Sequence, residues 1–196
     1  MAQPLPIGRR TLAGGLAALA AGPAFGTVRG RYAFDQHQGR LEFTARHLGV
    51  LTSTGRFDDF SAVLQIDPDQ PLTTAVAVTV RTAAVALSYP GAVEMLRSPD
   101  FFDVERYPEA RFTGAATGQG SLDRFALAGD LTIRGITRPY AMQARLLGRR
   151  RDATLGVDVA DFSATGPMKR SEFGMTAESA AISDTIGLSV RVSLIV

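Results

Sequence analysis

Cysteine is absent from all 196 residues. A disulfide framework, a thiolate metal site and a cysteine nucleophile are thereby excluded, although the compartment is not fixed, since exported proteins also do without cysteine. Histidine occurs twice, at His37 and His47, with a turn expected between them, and this spacing does not support a metal site. Lysine occurs once, at Lys169. There is no G-x-S-x-G, no H-E-x-x-H and no phosphate-cradling glycine loop after a strand. No βαβ rhythm appears either, which excludes the doubly wound and TIM-barrel classes. The chain is long enough for one sizeable core and short for two.

Acidic residues are missing from everything before Asp35. In that stretch Arg9-Arg10 precede a run of Ala, Leu and Gly from Leu12 to Phe25, and the small residues Ala24 and Gly26 sit two apart. A positive start, a short apolar core and such an end predict a secretory signal peptide over residues 1–26. The run is too short and too rich in glycine for a stable membrane span. Arg9-Arg10-Thr11-Leu12 resembles a twin-arginine signal, though Gly8 and Ala13 depart from the fuller pattern, so the export route stays open. Removal near Gly26 leaves 19 of the 21 basic residues against 19 acidic ones. A neutral mature chain, residues 27–196, gives no reason to expect nucleic-acid binding or attraction to an anionic membrane.

What the mature chain has in quantity is period-two alternation. Leu41, Phe43, Ala45 and His47 share one face opposite Glu42, Thr44 and Arg46. The same pattern runs through Phe60–Ile66, Val76–Val80, Phe125–Ile133, Tyr140–Leu146 and the closing Ile186–Val196. A short first strand covers Val28–Phe34, Phe112 opens another, and Leu155–Val159 continues the period. The glycine-punctuated Leu48–Gly55 reads as a bend or bulge. Gly135 and Pro139 bracket a turn, and Gly148–Asp152 reads as a solvated hairpin tip. Eight or nine antiparallel strands, each with one apolar face, predict an all-β domain, either a sandwich or a closed barrel.

One stretch breaks the alternation. Ala92–Arg97 reads as a helical turn, Pro99 interrupts it, and Phe101-Phe102 follow. Neighbouring phenylalanines cannot both face inward from one strand, so the segment up to Pro108 is expected to form a short helical plug across one end of the strands. The plainer alternative is a surface crossover whose aromatics fill the core.

Strand parity predicts an apolar interior lined by Phe43, Phe60, Val78, Phe125, Leu131 and Met142, with Phe101 and Phe102 near the plug. Phe112, which opens a further strand, and Tyr140, on the strand of Met142, are expected to line the same interior. His47 shares the apolar parity: it is either a core histidine bonded to a carbonyl or a polar contact for a ligand head group. In Lys169–Met175 (K-R-S-E-F-G-M), Arg170 would meet a polar head while Phe173 and Met175 touch an apolar chain; alternatively this is a charged loop with Phe173 tucked into the core.

Four blocks resemble the YceI-like family of exported lipid-binding proteins: H-L-G-V-L-T-S-T-G-R-F (47–57), L-R-S-P-D-F-F-D-V-E-R-Y-P-E-A-R-F (96–112), G-D-L-T-I-R-G-I-T-R-P (129–139) and K-R-S-E-F-G-M (169–175). They span nearly the whole mature chain in the family's order. The resemblance implies an extended antiparallel eight-stranded, lipocalin-like β-barrel holding a polyisoprenoid or similar amphiphile, in the periplasm. It also implies that His47 and Arg170 are polar contacts, and that Phe173 and Met175 belong to the site. At Gln36–Gly39 the chain departs from the family's usual His-Ser pair, so the entry hairpin is expected to differ locally. The implied protein is a non-catalytic carrier of a long-chain isoprenoid such as a quinone or prenyl phosphate, with no metal and no other cofactor. A homodimer is compatible with that reading. Two rivals stand beside it: an isomerase or hydrolase acting on such a lipid through His47, and a stress-related structural protein with an incidental cavity.

Overall fold

The computed structural model describes residues 30–195 except 68–69, 122 and 155; the expected export signal lies outside the described residues. Eleven strands follow one another: β1 (Arg31–Asp35), β2 (Gly39–His47), β3 (Leu51–Phe57), β4 (Phe60–Asp67), β5 (Gln70–Arg81), β6 (Val85–Leu87), β7 (Glu109–Ser121), β8 (Arg124–Ile133), β9 (Ile136–Asp152), β10 (Val157–Lys169) and β11 (Thr185–Ile195). A single six-residue helix, α1 (Ala92–Arg97), lies between β6 and β7. All strands join one antiparallel sheet in the order β1-β4-β5-β7-β8-β9-β10-β11-β2-β3-β6, curled into a half-barrel.

Alternation decides which face curls inward. Phe43 and Ala45 on β2, Phe60, Ala62, Leu64 and Ile66 on β4, Phe125, Leu127, Leu131 and Ile133 on β8 and Met142 and Ala144 on β9 are buried on one face of their strands, as one-sided strands require. The parity reading of β8 holds, with Phe125 2% and Leu131 6% exposed. Close neighbours fix the register. Phe43 pairs with Gly55 across β2 and β3, and a Cβ at Gly55 would fall 2.3 Å from the Phe43 ring. The ring therefore lies over bare backbone, a contact that a larger residue would abolish.

Three local expectations need correction. Leu51–Phe57 is a full strand rather than a bend; its Thr, Ser and Gly hide the alternation, and pairing with β2 supplies the regularity. The turn after β8 is confined to Arg134 and Gly135, both at positive φ, so Pro139 sits within β9 at an exposed position. Arg149, Arg150 and Arg151 lie in β9 instead of a hairpin tip. There Arg150 pairs with Asp152 and Asp161 at 3.2 Å each. With β3 and the short edge strand β6, neither of which periodicity revealed, the described residues form eleven strands where eight or nine were expected.

The plug forms as its sequence predicts. Ser98 caps α1 through its hydroxyl to the Met95 carbonyl at 2.7 Å. The chain then doubles back, the Phe102 amide reaching the Leu96 carbonyl at 2.9 Å. Phe101 is 3% exposed, and Phe102 meets Phe57 edge-on at 5.6 Å. Arg134 ties the turn to the β8–β9 junction by donating to the carbonyls of Pro99, at 2.7 Å, and Phe101. Thr82 holds the exit, its hydroxyl donating to the Tyr107 carbonyl at 2.8 Å.

A second organiser follows β10. Arg170, 4% exposed, donates to four carbonyls: Ser183 at 3.1 Å, Met175 at 2.8 Å, Ala177 at 2.6 Å and Ile182 at 3.0 Å. Its guanidinium also lies 5.9 Å from the Phe101 ring centre, so one side chain holds the 175–184 loop and touches the plug. Nearby, the Asp184 carboxylate accepts from the Ser171 amide and hydroxyl at 2.9 Å each. The amide bond first, then the hydroxyl and the charges of Arg170 and Lys169, hold that carboxyl below its usual range against a desolvation cost. Lysine has a point charge where arginine has a planar fork. Arg170→Lys is expected to lower stability by about 2–4 kcal/mol, measured by chemical denaturation; a loss within a few tenths would show that the clamp is dispensable.

Candidate functional site

The curled sheet and the plug leave a cavity of about 890 Å³ with an almost wholly apolar wall. Small residues on the inner face, Ala45, Ala144 and Ala164 among them, do not fill the space between opposite walls. Exposed residues of the lining, Leu48, Leu51, Thr52, Tyr89, Pro90, Gly91 and Glu178 among them, mark the mouth. It lies between the β2–β3 turn and the link from β6 to α1.

Of the residues expected to line a bore, Phe43, Val78, Phe101, Phe102, Phe112, Phe125, Leu131, Tyr140, Met142 and Met175 face this cavity. Phe60 and Phe173 are buried, at 3% and 2% exposure, but neither is part of its wall. Phe60 meets Phe34 edge-on at 6.3 Å, and Phe34 is the ring that faces the void. Phe173 ends a 3-10 turn and packs in the core instead. Parity tells which side a residue faces. It does not tell whether packing at the ends has already covered that residue.

His47 and Arg170 both border the cavity, but their chemistry differs. His47 is half-buried, and its Nε2 is 2.7 Å from the Ser53 hydroxyl. The two residues are diagonal neighbours on β2 and β3, since His47 pairs with Leu51 and Ser53 with Ala45. They form a polar pair near the mouth of an apolar tube. Arg170, by contrast, spends four of its five N–H donors on backbone carbonyls. One is left for anything else.

Tyr140 is another polar group in the wall, which also includes Thr74 and Ser163. Its ring stands edge-on to Phe112 at 6.0 Å, and its buried hydroxyl has no hydrogen-bond partner among the described residues. Burial pushes that hydroxyl above the ordinary tyrosine range. Gly166 makes the room, because a Cβ there would fall 2.7 Å from the Tyr140 hydroxyl. Among the described residues no group of three or more His, Asp or Glu is placed to hold a metal ion.

Sequence reasoning missed Ser53, whose segment was read as a bend. It also missed the contribution of β11: the alternating Ile186, Leu188, Val190 and Val192 all line the cavity. The signal for β11 was present in its uninterrupted alternation; for Ser53 there was none beyond the spacing from His47.

Comparison with known proteins agrees with this geometry. The protein YceI of Escherichia coli O157:H7 is 31% identical over 152 residues, covering 78% of each chain. The crystal structure of BcnA from Burkholderia cenocepacia superposes with a TM-score of 0.71 at 19% identity, over 82% of this chain and 98% of that one. A polyisoprenoid binding domain from Saccharophagus degradans, implicated in plant cell wall breakdown, gives 0.58 at 11% identity, over 83% and 96%. A family model described as the YceI-like domain matches residues 32–194, nearly the whole described chain, and the protein belongs to the YceI-like family.

Proposed function

We propose that this chain binds and carries a long-chain isoprenoid lipid, such as a quinone or prenyl phosphate, in the periplasm. The observation that carries the reading is the cavity itself: about 890 Å³ of apolar space with a polar pair near its mouth. That volume is in the range of sites for small amphiphiles. Ten buried methylenes contribute roughly 8 kcal/mol gross, enough to offset association costs of several kcal/mol once the chain is longer still. The polyisoprenoid binding ascribed to the Saccharophagus degradans domain supports the same ligand class. His47 and Ser53 would orient the head group, while the aromatic and aliphatic wall supplies the affinity. Export is part of the proposal and rests on the pattern of residues 1–26.

One observation favours a second reading. A histidine nitrogen 2.7 Å from a serine hydroxyl is the spacing of a base and its nucleophile. Among the described residues no carboxylate bonds the other ring nitrogen to fix the tautomer, which a triad would need. Binding without chemistry is therefore preferred.

Lipid extraction and mass spectrometry of protein recovered from cells test both readings. A retained isoprenoid, chemically unchanged, is expected with the wild type and with His47→Asn, whose binding should fall by no more than about 1–2 kcal/mol. Met142→Asp should empty the cavity, because it buries an unpaired charge in the wall. A product formed by the wild type and lost in His47→Asn would establish the enzyme instead. Intact mass of the same material is expected to show cleavage near Gly26, and retention of Met1 would refute export by this signal. Tyr140→Phe removes an unpaired buried hydroxyl, so ligand-free protein should gain about 1 kcal/mol in denaturation; a loss of that size would mean the hydroxyl has a partner in solution.

A further inference from the structure

Four of the large apolar side chains left in water stand together at the mouth: Leu48 at 72% exposure, Val50 at 82%, Leu51 at 64% and Tyr89 at 75%. The turn that presents them is unusual for its sequence. Leu48 and Gly49 have φ of 49° and 74°, and the Val50 amide closes onto the His47 carbonyl at 3.1 Å. Two successive left-handed residues in such a turn favour Asn, Asp or Gly at both positions. Leucine at the first is disfavoured by its backbone and gains no burial in return. The turn is nevertheless held in place: the Leu48 amide donates to the Ala181 carbonyl at 2.9 Å, and the Ser183 amide to the Arg46 carbonyl at 2.8 Å. Leu48, Leu51 and Tyr89 also line the cavity, so apolar surface continues from the outside of the molecule into its interior.

We propose that this rim inserts into a lipid bilayer and that ligand passes there between cavity and membrane without crossing water. The proposal rests on the lipid-carrier reading and adds the surface at which exchange occurs. Release into water would re-expose the chain that the cavity buries, the step the hydrophobic effect opposes. The size of the patch argues against a second copy or a folded partner. Stable protein interfaces use about 20–30 residues a side, whereas shallow insertion needs only a few apolar side chains on a polar base. Charge points the same way. The exposed Arg46 and Arg97 near the rim are offset by exposed Glu94 and Glu178, so attraction to anionic head groups is not the driving force.

Val50 separates docking from binding, because it is the most exposed of the four and is not part of the cavity wall. Leu147, 54% exposed, is the control. It adjoins Gly148, which pairs with Asp161 and through it with Ser193, at the end of β2 opposite His47. Protein recovered from cells expressing the full chain would be floated with phosphatidylcholine vesicles at low and high salt. Its extractable lipid would be measured on the same samples. The wild type should co-float at both salt concentrations, and Leu147→Asp should match it. Val50→Asp should reduce the bound fraction roughly ten-fold while its extracted lipid stays unchanged, and Val50→Trp should raise it. Co-flotation without any extractable lipid would keep the docking surface and remove the carrier reading. Retained lipid with no flotation would keep the carrier and overturn the docking. Equal flotation of Val50→Asp, binding only to anionic vesicles at low salt, or a wild-type dimer that Val50→Asp converts to monomer would each overturn it as well.

Discussion

The arrangement around the cavity depends on a buried guanidinium. Arg170 lies at the end of β10, and its four carbonyl bonds gather residues from both ends of the 175–184 loop onto one point. That loop in turn edges the mouth: His47 bridges to Ile182, and the Leu48 amide reaches Ala181. The same guanidinium lies against Phe101 of the plug. A charge at this depth is tolerable only because hydrogen bonds replace its hydration almost completely. The loop, the plug and the end of β2 therefore share a single anchor, and in a chain without cysteine no disulfide contributes to the shape of the mouth.

The fold also has to sustain a void. Filled cores gain dispersion contacts, and an apolar cavity gives some of these up. The curled sheet resists collapse because every strand from one edge, β1, to the other, β6, is paired with its neighbours, which sets the distance between opposite walls. Glycines at 55 and 166 admit rings against bare backbone, so Phe43 and Tyr140 lie close to the wall. An interior kept open in this way is hard to account for by stability alone. It fits a protein whose apolar contacts are completed by a ligand.

Polar groups in the wall are few and unequal. His47 and Ser53 satisfy each other and remain near the mouth. Arg170 is committed to the backbone, while the Tyr140 hydroxyl has no partner among the described residues. A ligand's orientation would accordingly be set at the mouth, and its affinity by the length of chain enclosed. With an apolar rim around the same opening, binding and delivery would share one doorway.

Much of this was legible in the residues. Alternation identified the strands of an all-β domain, the Pro99 and Phe101-Phe102 interruption located the plug, and four sequence blocks pointed to the family. Parity placed seven of the expected apolar residues on the cavity wall, Phe43, Val78, Phe112, Phe125, Leu131, Tyr140 and Met142, because side chains in a strand have only two directions to choose from. The tertiary structure alone decided what lay beyond that choice. Phe60 and Phe173 face inward yet are covered, because neighbours at the ends of the sheet reach them first. Arg170 became an anchor because residues 175–183 fold back over it, and Ser53 became the partner of His47 because β3 pairs with β2 in one register. Local pattern determines direction along each strand, whereas distance across the interior is set by the curl of the whole sheet.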